Sequence, residues 1–392
     1  MRKNTLTAFA AVGLATAVIA ALTGCGTAGS GGGGAASGPI EKLGKTEGAV
    51  KILAWPGYVE DGSNDPNVDW VSDFTKATGC KVEAKTFGTS DEALNLMKTG
   101  DYDVVSASGD ASLRLIASGD VVEVNTKLLK NYDGIFPFLK DRAWNTVDGK
   151  HYGVPHGYGA NLLMYNTETF PTAPTSWDVV FDKASERKGK ITAYDSPIYI
   201  ADAAVYLMAH KPELKITNPY ALDQKQFDAA VDLLKEQRPN ISEYWGDYLK
   251  EVQSFQSGDS VAGTTWQVIQ NTLEGEGAKT AVVLPSEGAT GWSDTWMISS
   301  KAKNPNCAYA WLDYISSPKA NAQATAFFGE APSSEKACDY RDDCASYHAG
   351  DADYAKKIWY WTTPIAKCLD GRTDVKCIDY AGWTTAWQQI RN

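Results

Sequence analysis

The sequence predicts an α/β protein built as two lobes. From residue 50 onward, short apolar strands alternate with amphipathic helices, the pattern of βα units around a mostly parallel sheet. Roughly 345 residues follow a glycine-rich N-terminal stretch, more than one hydrophobic core usually holds. There is no internal repeat and no second membrane span beyond the N-terminal run.

In chain order, residues 50–54 (Val-Lys-Ile-Leu-Ala) read as a strand. Residues 68–78 read as a helix, with Val71, Phe74 and Ala77 recurring at three-residue spacing and Gly79 as the cap that ends it. Residues 81–87 alternate as a strand, Ser90 caps a helix over 91–98, and 102–105 is a third strand. Further on, 190–193, 281–284 and 295–299 read as strands, and 200–210, 226–236 and 308–315 as helices. Strands separated by helices imply right-handed crossovers.

The N-terminus sets the compartment. Arg2 and Lys3 precede an apolar run over 6–22, and Leu22-Thr23-Gly24-Cys25 ends it at a small-residue cleavage site with one cysteine. This is the form of a bacterial lipoprotein signal over 1–24, in which Cys25 is lipidated and becomes the first mature residue. A short transmembrane anchor is the competing reading of the same run. Residues 25–47, with Gly31-Gly32-Gly33-Gly34, then form a flexible tether. Either reading places the body outside the cytoplasm.

Charge and cysteines fit that placement. The formal net charge is −11, and loss of Arg2 and Lys3 with the signal makes the mature chain more acidic. Such a body argues against nucleic acid and against anionic lipid, and suits a small cationic ligand. Beyond Cys25 stand Cys80, Cys307, Cys338, Cys344, Cys368 and Cys377, an even six for an oxidising compartment. Of the fifteen possible pairings, the most economical closes small loops with Cys338–Cys344 and Cys368–Cys377 and leaves Cys80 with Cys307. No CxxC occurs and the four histidines lack ligand spacing, so no metal site is expected. GxGxxG occurs only in the glycine-rich N-terminal stretch, which has the composition of a tether rather than of a strand-to-helix turn, and GxxxxGK[ST], GxSxG and HExxH are absent, which removes local support for phosphate binding or catalysis.

Four segments gather aromatic or acidic side chains at predicted strand ends: Trp55-Pro56-Gly57-Tyr58; Ser106-Ala107-Ser108-Gly109-Asp110; Tyr194-Asp195-Ser196-Pro197; and Thr265-Trp266 with Gly291-Trp292-Ser293-Asp294. In open α/β sheets, ligands sit outside the carboxyl ends of strands, where these loops converge. Indole faces and carboxylates collected there make a cation site, each cation–π contact contributing about 0.5–2 kcal/mol. One tryptophan alone is more often core, and one aspartate after a strand is more often a turn residue. The joint pattern carries the functional reading.

On these segments the chain resembles the solute-binding proteins of ATP-driven importers, in particular the group that binds spermidine and putrescine. The likeness runs in order from Val50 to Pro332 through Ile52-Leu53-Ala54-Trp55, Asp101-Tyr102-Asp103-Val104-Val105, Tyr152-Gly153-Val154-Pro155, Thr175-Ser176-Trp177, Gly189-Lys190-Ile191 and Val282-Val283-Leu284-Pro285. The resemblance implies a type II periplasmic-binding-protein-like fold with a hinge and an inter-lobe cleft. Lobe 1 would take 48–156 and 286–392, and lobe 2 would take 157–285, with crossings near His156-Gly157 and Pro285. By position, Trp55, Tyr58, Trp266 and Trp292 would wall the ligand. Asp195 and Asp294 would fix its amines, Ser108 would add a hydroxyl, and Asp110 stands where an aromatic is expected. Ile198 stands where the spermidine binders carry a glutamate, which puts the number of amines in doubt. Trp359, Tyr360 and Trp361 are a candidate extra wall. The implied partners are a polyamine, a permease with its ATPase, and the membrane through the lipid, with the protein itself a monomer and without a cofactor. The alternatives are a sugar or a quaternary ammonium as ligand, a glycoside hydrolase using Asp195 and Asp294, or a surface adhesin.

Overall fold

The computed structural model describes residues 39–392, so the signal run, Cys25 and the glycine tether up to Gly38 lie outside the described residues. Two sheets organise the body. The eight-stranded sheet runs Ala331–Pro332, Val154–Ala160, Ala289–Ser299, Val104–Ala107, Ala49–Ala54, Lys81–Thr86, with Val121–Val122 and Ile358–Tyr360 also paired to Ala289–Ser299. The five-stranded sheet runs Ile241–Trp245, Ile191–Tyr194, Ala262–Thr265, Leu162–Asn166, Thr280–Val283. Each has a parallel core, Ala49–Ala54 beside Lys81–Thr86 and Val104–Ala107 in one, and Ile191–Tyr194 beside Ile241–Trp245 and Ala262–Thr265 in the other. Antiparallel strands are added where the chain passes between the lobes.

The central strands are covered on both faces, which is why they read as apolar runs rather than alternations. Ile52, Leu53, Val104 and Val105 are fully buried. Helices start and stop on local signals. Gly79 takes a left-handed φ of 75° and ends the helix Val71–Thr78. Asp223 and Gln226 form a reciprocal capping box on Gln224–Gln237. The helix Ile200–His210 falls where the pattern put it. At the second helix the cap is Thr89, whose side chain accepts from the Glu92 N–H, and Ser90 is the first helical residue.

Two boundaries differ from expectation. Val154–Ala160 stays in the first sheet throughout, so the outward crossing lies at Asn161 rather than at His156-Gly157. The return strand Ala289–Ser299 is longer than the predicted 295–299, and all its residues are buried. The two crossings lie side by side, because Asn161 donates from its backbone N–H to the Thr290 carbonyl at 2.8 Å. The last helix, Tyr380–Arg391, packs on Gln224–Gln237, with Phe227 and Trp383 ring centroids 5.9 Å apart, while its first residue, Tyr380, lies 3.8 Å under the Arg114 guanidinium of the first lobe. The C-terminal segment is thus a third link between the lobes.

The three disulfides are Cys80–Cys307, Cys338–Cys344 and Cys368–Cys377, the economical pairing. Cys80–Cys307 ties the start of Lys81–Thr86 to the helix Pro305–Ile315 across a sequence separation of 227. Cys338–Cys344 closes a separation of only 6. Loop-closure entropy grows with the logarithm of loop length, so removing this small staple by the double change Cys338→Ala, Cys344→Ala costs about 2 kcal/mol. A fall of that size in the unfolding free energy from urea titration, seen as a lower midpoint, is the expected result, and an unchanged midpoint rejects it.

Candidate functional site

The site is built at strand ends. Trp55 follows Ala49–Ala54, Ser108 follows Val104–Ala107, and Trp266 follows Ala262–Thr265, all at carboxyl ends. Trp292 and Asp294 come from inside Ala289–Ser299. The pairing of that strand with Val154–Ala160 slips between Ser293 and Thr295, which puts a bulge at Asp294. A bulge leaves one residue out of the ladder and re-aims its side chain.

These five residues, with Phe328 and Trp361, line one small cavity of about 10 Å³. It is an aromatic cage. Indole 266 lies 6.1 Å from indole 55 and 5.8 Å from indole 292, while Trp361 is 6.4 Å from Trp292 and stacks flat on Tyr194 at 5.7 Å. Two walls are fixed by hydrogen bonds: Trp266 Nε1 donates to Asn161 Oδ1 at 3.0 Å, and Trp292 Nε1 donates to Glu330 Oε2 at 2.8 Å. Asn161 in turn donates to Thr290 Oγ1 at 2.6 Å, and that hydroxyl reaches Asp202 at 3.0 Å. One wall of the cage is therefore anchored where the two crossings between the sheets lie side by side.

Asp294 supplies the charge. Its side chain is 2 % exposed. Oδ2 accepts from the Tyr58 hydroxyl at 2.9 Å, and Oδ1 has no partner. Ser108 stands at the start of the helix Gly109–Ser118 without capping it with its side chain, and lines the same cavity. Burial pushes the Asp294 carboxyl up to about 7, and no lysine or arginine lines the cavity to offset it. The cage is about the size of one water-sized group. It adjoins a larger cleft of about 780 Å³ that shares Trp55, Trp266 and Phe328 and is bordered by both lobes. Glu60, Glu92 and Asp247 line that cleft, again without a lysine or arginine.

Three expected residues sit elsewhere. Tyr58 is fully buried behind Asp294 and holds it, instead of forming a wall. Asp110 is buried at the start of its helix, where Oδ1 accepts from Ser90 at 2.9 Å and Oδ2 lies 3.8 Å from Arg114. Asp195 pairs with Arg391 at 3.0 Å and accepts from Trp387 Nε1 at 3.0 Å. Both partners of Asp195 belong to the last helix, which the sequence did not place beside it. Of the C-terminal aromatics, Trp361 joins the cage, while the Trp359 carbonyl accepts from Tyr220 at 2.5 Å.

Glu330 is a residue behind the cage that sequence reasoning missed. It is 1 % exposed, and Oε2 lies 3.3 Å from the same Tyr58 hydroxyl that bonds Asp294. Oε1 has no partner and lies 3.7 Å from Nε2 of His156, a fully buried imidazole held neutral because burial pushes its pKa down to about 3. Burial, then the Asp294 charge, holds the Glu330 carboxyl well above the ordinary carboxylate range. A signal for it did exist. In the strand Val154–Ala160, a Cβ at Gly157 would collide with the Glu330 carboxylate and one at Gly159 with the Trp292 ring. Glycines inside a strand mark such close approaches.

Two lobes that enclose a charged aromatic cage at their junction define a ligand-trapping protein. The profile of the bacterial extracellular solute-binding proteins matches residues 69–350, and the chain belongs to that family. Among its relatives, the spermidine/putrescine-binding periplasmic protein 1 of Haemophilus influenzae is 26% identical over 285 residues, 71% of this chain and 74% of that protein. The putrescine/cadaverine-binding protein of Pseudomonas aeruginosa is 23% identical over 287 residues, 67% of this chain and 73% of that protein. In fold, the solved structure of a putative spermidine/putrescine ABC transporter from Listeria monocytogenes superposes with a TM-score of 0.72 at 20% identity, covering 88% of this chain and 99% of that one.

Proposed function

We propose that this chain is the capture component of an ATP-driven importer, held outside the cytoplasm by a lipid on Cys25, and that its cargo is a cationic amine of the polyamine class. One observation carries the choice of cargo: Asp294, whose Oδ1 is buried and unpaired, lines a cage of four indoles with no cation of the protein's own. A buried carboxylate without a partner is costly, and an ammonium repays that cost by donating an N–H while the indole faces stabilise its charge. The names of the relatives support the same ligand class. The amine enters from the wide cleft, whose acids draw cations inward. Closure of the lobes then completes the cage, and the closed protein docks on a permease whose ATPase supplies the work. Trp55, Trp266, Trp292, Ser108 and Asp294 bind, and Tyr58 positions Asp294.

Four indoles also favour a quaternary ammonium, which has no N–H for Asp294. Calorimetry with putrescine, spermidine, choline and maltose separates these classes. A primary amine is expected to bind more tightly than choline, and maltose to give no heat. Binding of maltose with no heat from any amine would overturn the reading.

A further inference from the structure

Behind the cage, two buried acids meet one hydroxyl. Tyr58 Oη lies 2.9 Å from Asp294 Oδ2 and 3.3 Å from Glu330 Oε2. A phenol has one proton to give. The shorter contact takes it, which leaves two oxygens facing each other at the longer one with no hydrogen between them unless Glu330 supplies it. The same Oε2 accepts from Trp292 Nε1 at 2.8 Å. An atom that accepts from one neighbour and donates to another is a hydroxyl oxygen; neither a carboxylate oxygen nor either end of an amide does both.

The groups around the carboxyl agree. His156, from the strand Val154–Ala160, lies 3.7 Å from Oε1 but is neutral, because burial pushes its pKa down to about 3. Arg341 donates at 2.9 Å to the Glu330 backbone carbonyl and at 2.9 Å to Thr325, so its charge is engaged elsewhere. The remaining charged neighbour is Asp294 from the return strand, and burial with that charge holds the Glu330 carboxyl well above the ordinary carboxylate range. Gly157 clears the space for this arrangement, since a Cβ there would stand 2.3 Å from Oε1.

We propose that Glu330 is a positioning residue of the ligand site: its carboxyl O–H donates to the Tyr58 oxygen, which turns the single Tyr58 proton onto Asp294, while the same Glu330 oxygen holds indole 292. The inference rests on the reading of Asp294 as the counter-charge of the cargo. Glu330 does not line the cage and acts only through its two neighbours. A hydroxyl that receives a hydrogen bond is itself a stronger donor. The relay thus fixes Asp294 and one indole wall together, and the junction carries one negative charge in place of two.

Infrared difference spectra of the full mature protein at pH 8, parent against Glu330→Gln, read the proton directly. A carboxylic-acid C=O band assigned to Glu330 is expected, and a carboxylate band in its place would overturn the proposal. Calorimetry with putrescine from pH 5 to pH 8 is the second readout. An amide at 330 can serve Tyr58 or Trp292 but not both, so Glu330→Gln is expected to lower affinity about three- to tenfold, the worth of one neutral hydrogen bond. The change removes no charge, so the pH at which affinity falls stays or rises. A drop of that pH by about one unit would mean an anion had been removed from beside Asp294. A loss of about a hundredfold or more would mean the ligand had used the Glu330 charge itself. Either result, or unchanged affinity, would overturn the proposal. Tyr58→Phe breaks the relay at its centre and is expected to raise the same pH, because the Asp294 anion loses its donor; an unchanged or lower value would overturn it. If the unmodified protein binds no putrescine, the amine reading fails while the infrared band still decides the proton on Glu330.

Discussion

Asp294→Asn weakens putrescine binding by about 2–5 kcal/mol, the range for truncating one partner of a buried, hydrogen-bonded charge pair. The substitution keeps the shape of the side chain, and its amide oxygen can still accept from Tyr58, which now bonds Asp294 at 2.9 Å. What it removes is the charge opposite the ammonium. The same change spares the empty protein the cost of a buried carboxyl with an orphaned Oδ1, so its melting temperature holds or rises. Calorimetry beside a thermal melt reads both effects. Affinity within twofold of the parent would remove Asp294 from the binding site, and loss of affinity with loss of folding would make it a structural residue.

Putrescine affinity falls about a hundredfold between pH 8 and pH 5, close to tenfold per unit below neutrality. Burial raises the Asp294 carboxyl to about 7, so the anion that an ammonium needs is lost as the pH falls through that value. The groups facing it are the Tyr58 hydroxyl from the loop after the first strand, Ser108 and the Asp110 charge from the helix start, and Glu330 beyond Tyr58, with His156 neutral behind them. None of them is a cation that would hold Asp294 ionised. For the empty protein the sign is opposite. A carboxyl with a raised folded pKa binds a proton that the unfolded chain has released, so its contribution to stability is full below the unfolded value of about 4 and is lost as pH rises through 7. Between those limits the melting temperature of the empty protein therefore falls with rising pH, while the ligand-induced gain grows. Calorimetry in two buffers of different ionisation enthalpy is expected to show proton release on binding near pH 7. Affinity independent of pH from 5 to 8 would contradict it.

The first cage wall was legible because its position depends on local order. Trp55 directly follows an apolar strand, at the end of the sheet, whereas Trp266 follows Ala262–Thr265, an Ala-Gly-Thr-Thr segment with no apolar run to announce it. Trp292 and Asp294 were legible through an ordered likeness to a family, although the bulge that aims Asp294 was not. Asp195 misled because its partner, Arg391, is the second-to-last residue, and nothing local announces that the last helix returns to the second lobe. Asp110 misled for a related reason: Ser90 and Arg114 meet it from two helices, and an acid at a helix start looks the same whether free or paired. Glu330 was hidden in Phe328-Gly329-Glu330, which reads as a helix stop, and Gly329 is indeed the left-handed cap of Pro318–Phe328. Its role comes from a strand distant in sequence, where Gly157 and Gly159 clear the space it fills.

A crystal structure of the mature protein with putrescine tests the central claim most directly. The account predicts one ligand nitrogen within hydrogen-bonding distance of Asp294 Oδ1, enclosed by indoles 55, 266, 292 and 361. A diamine bound elsewhere, with Asp294 Oδ1 still unpaired, would contradict it.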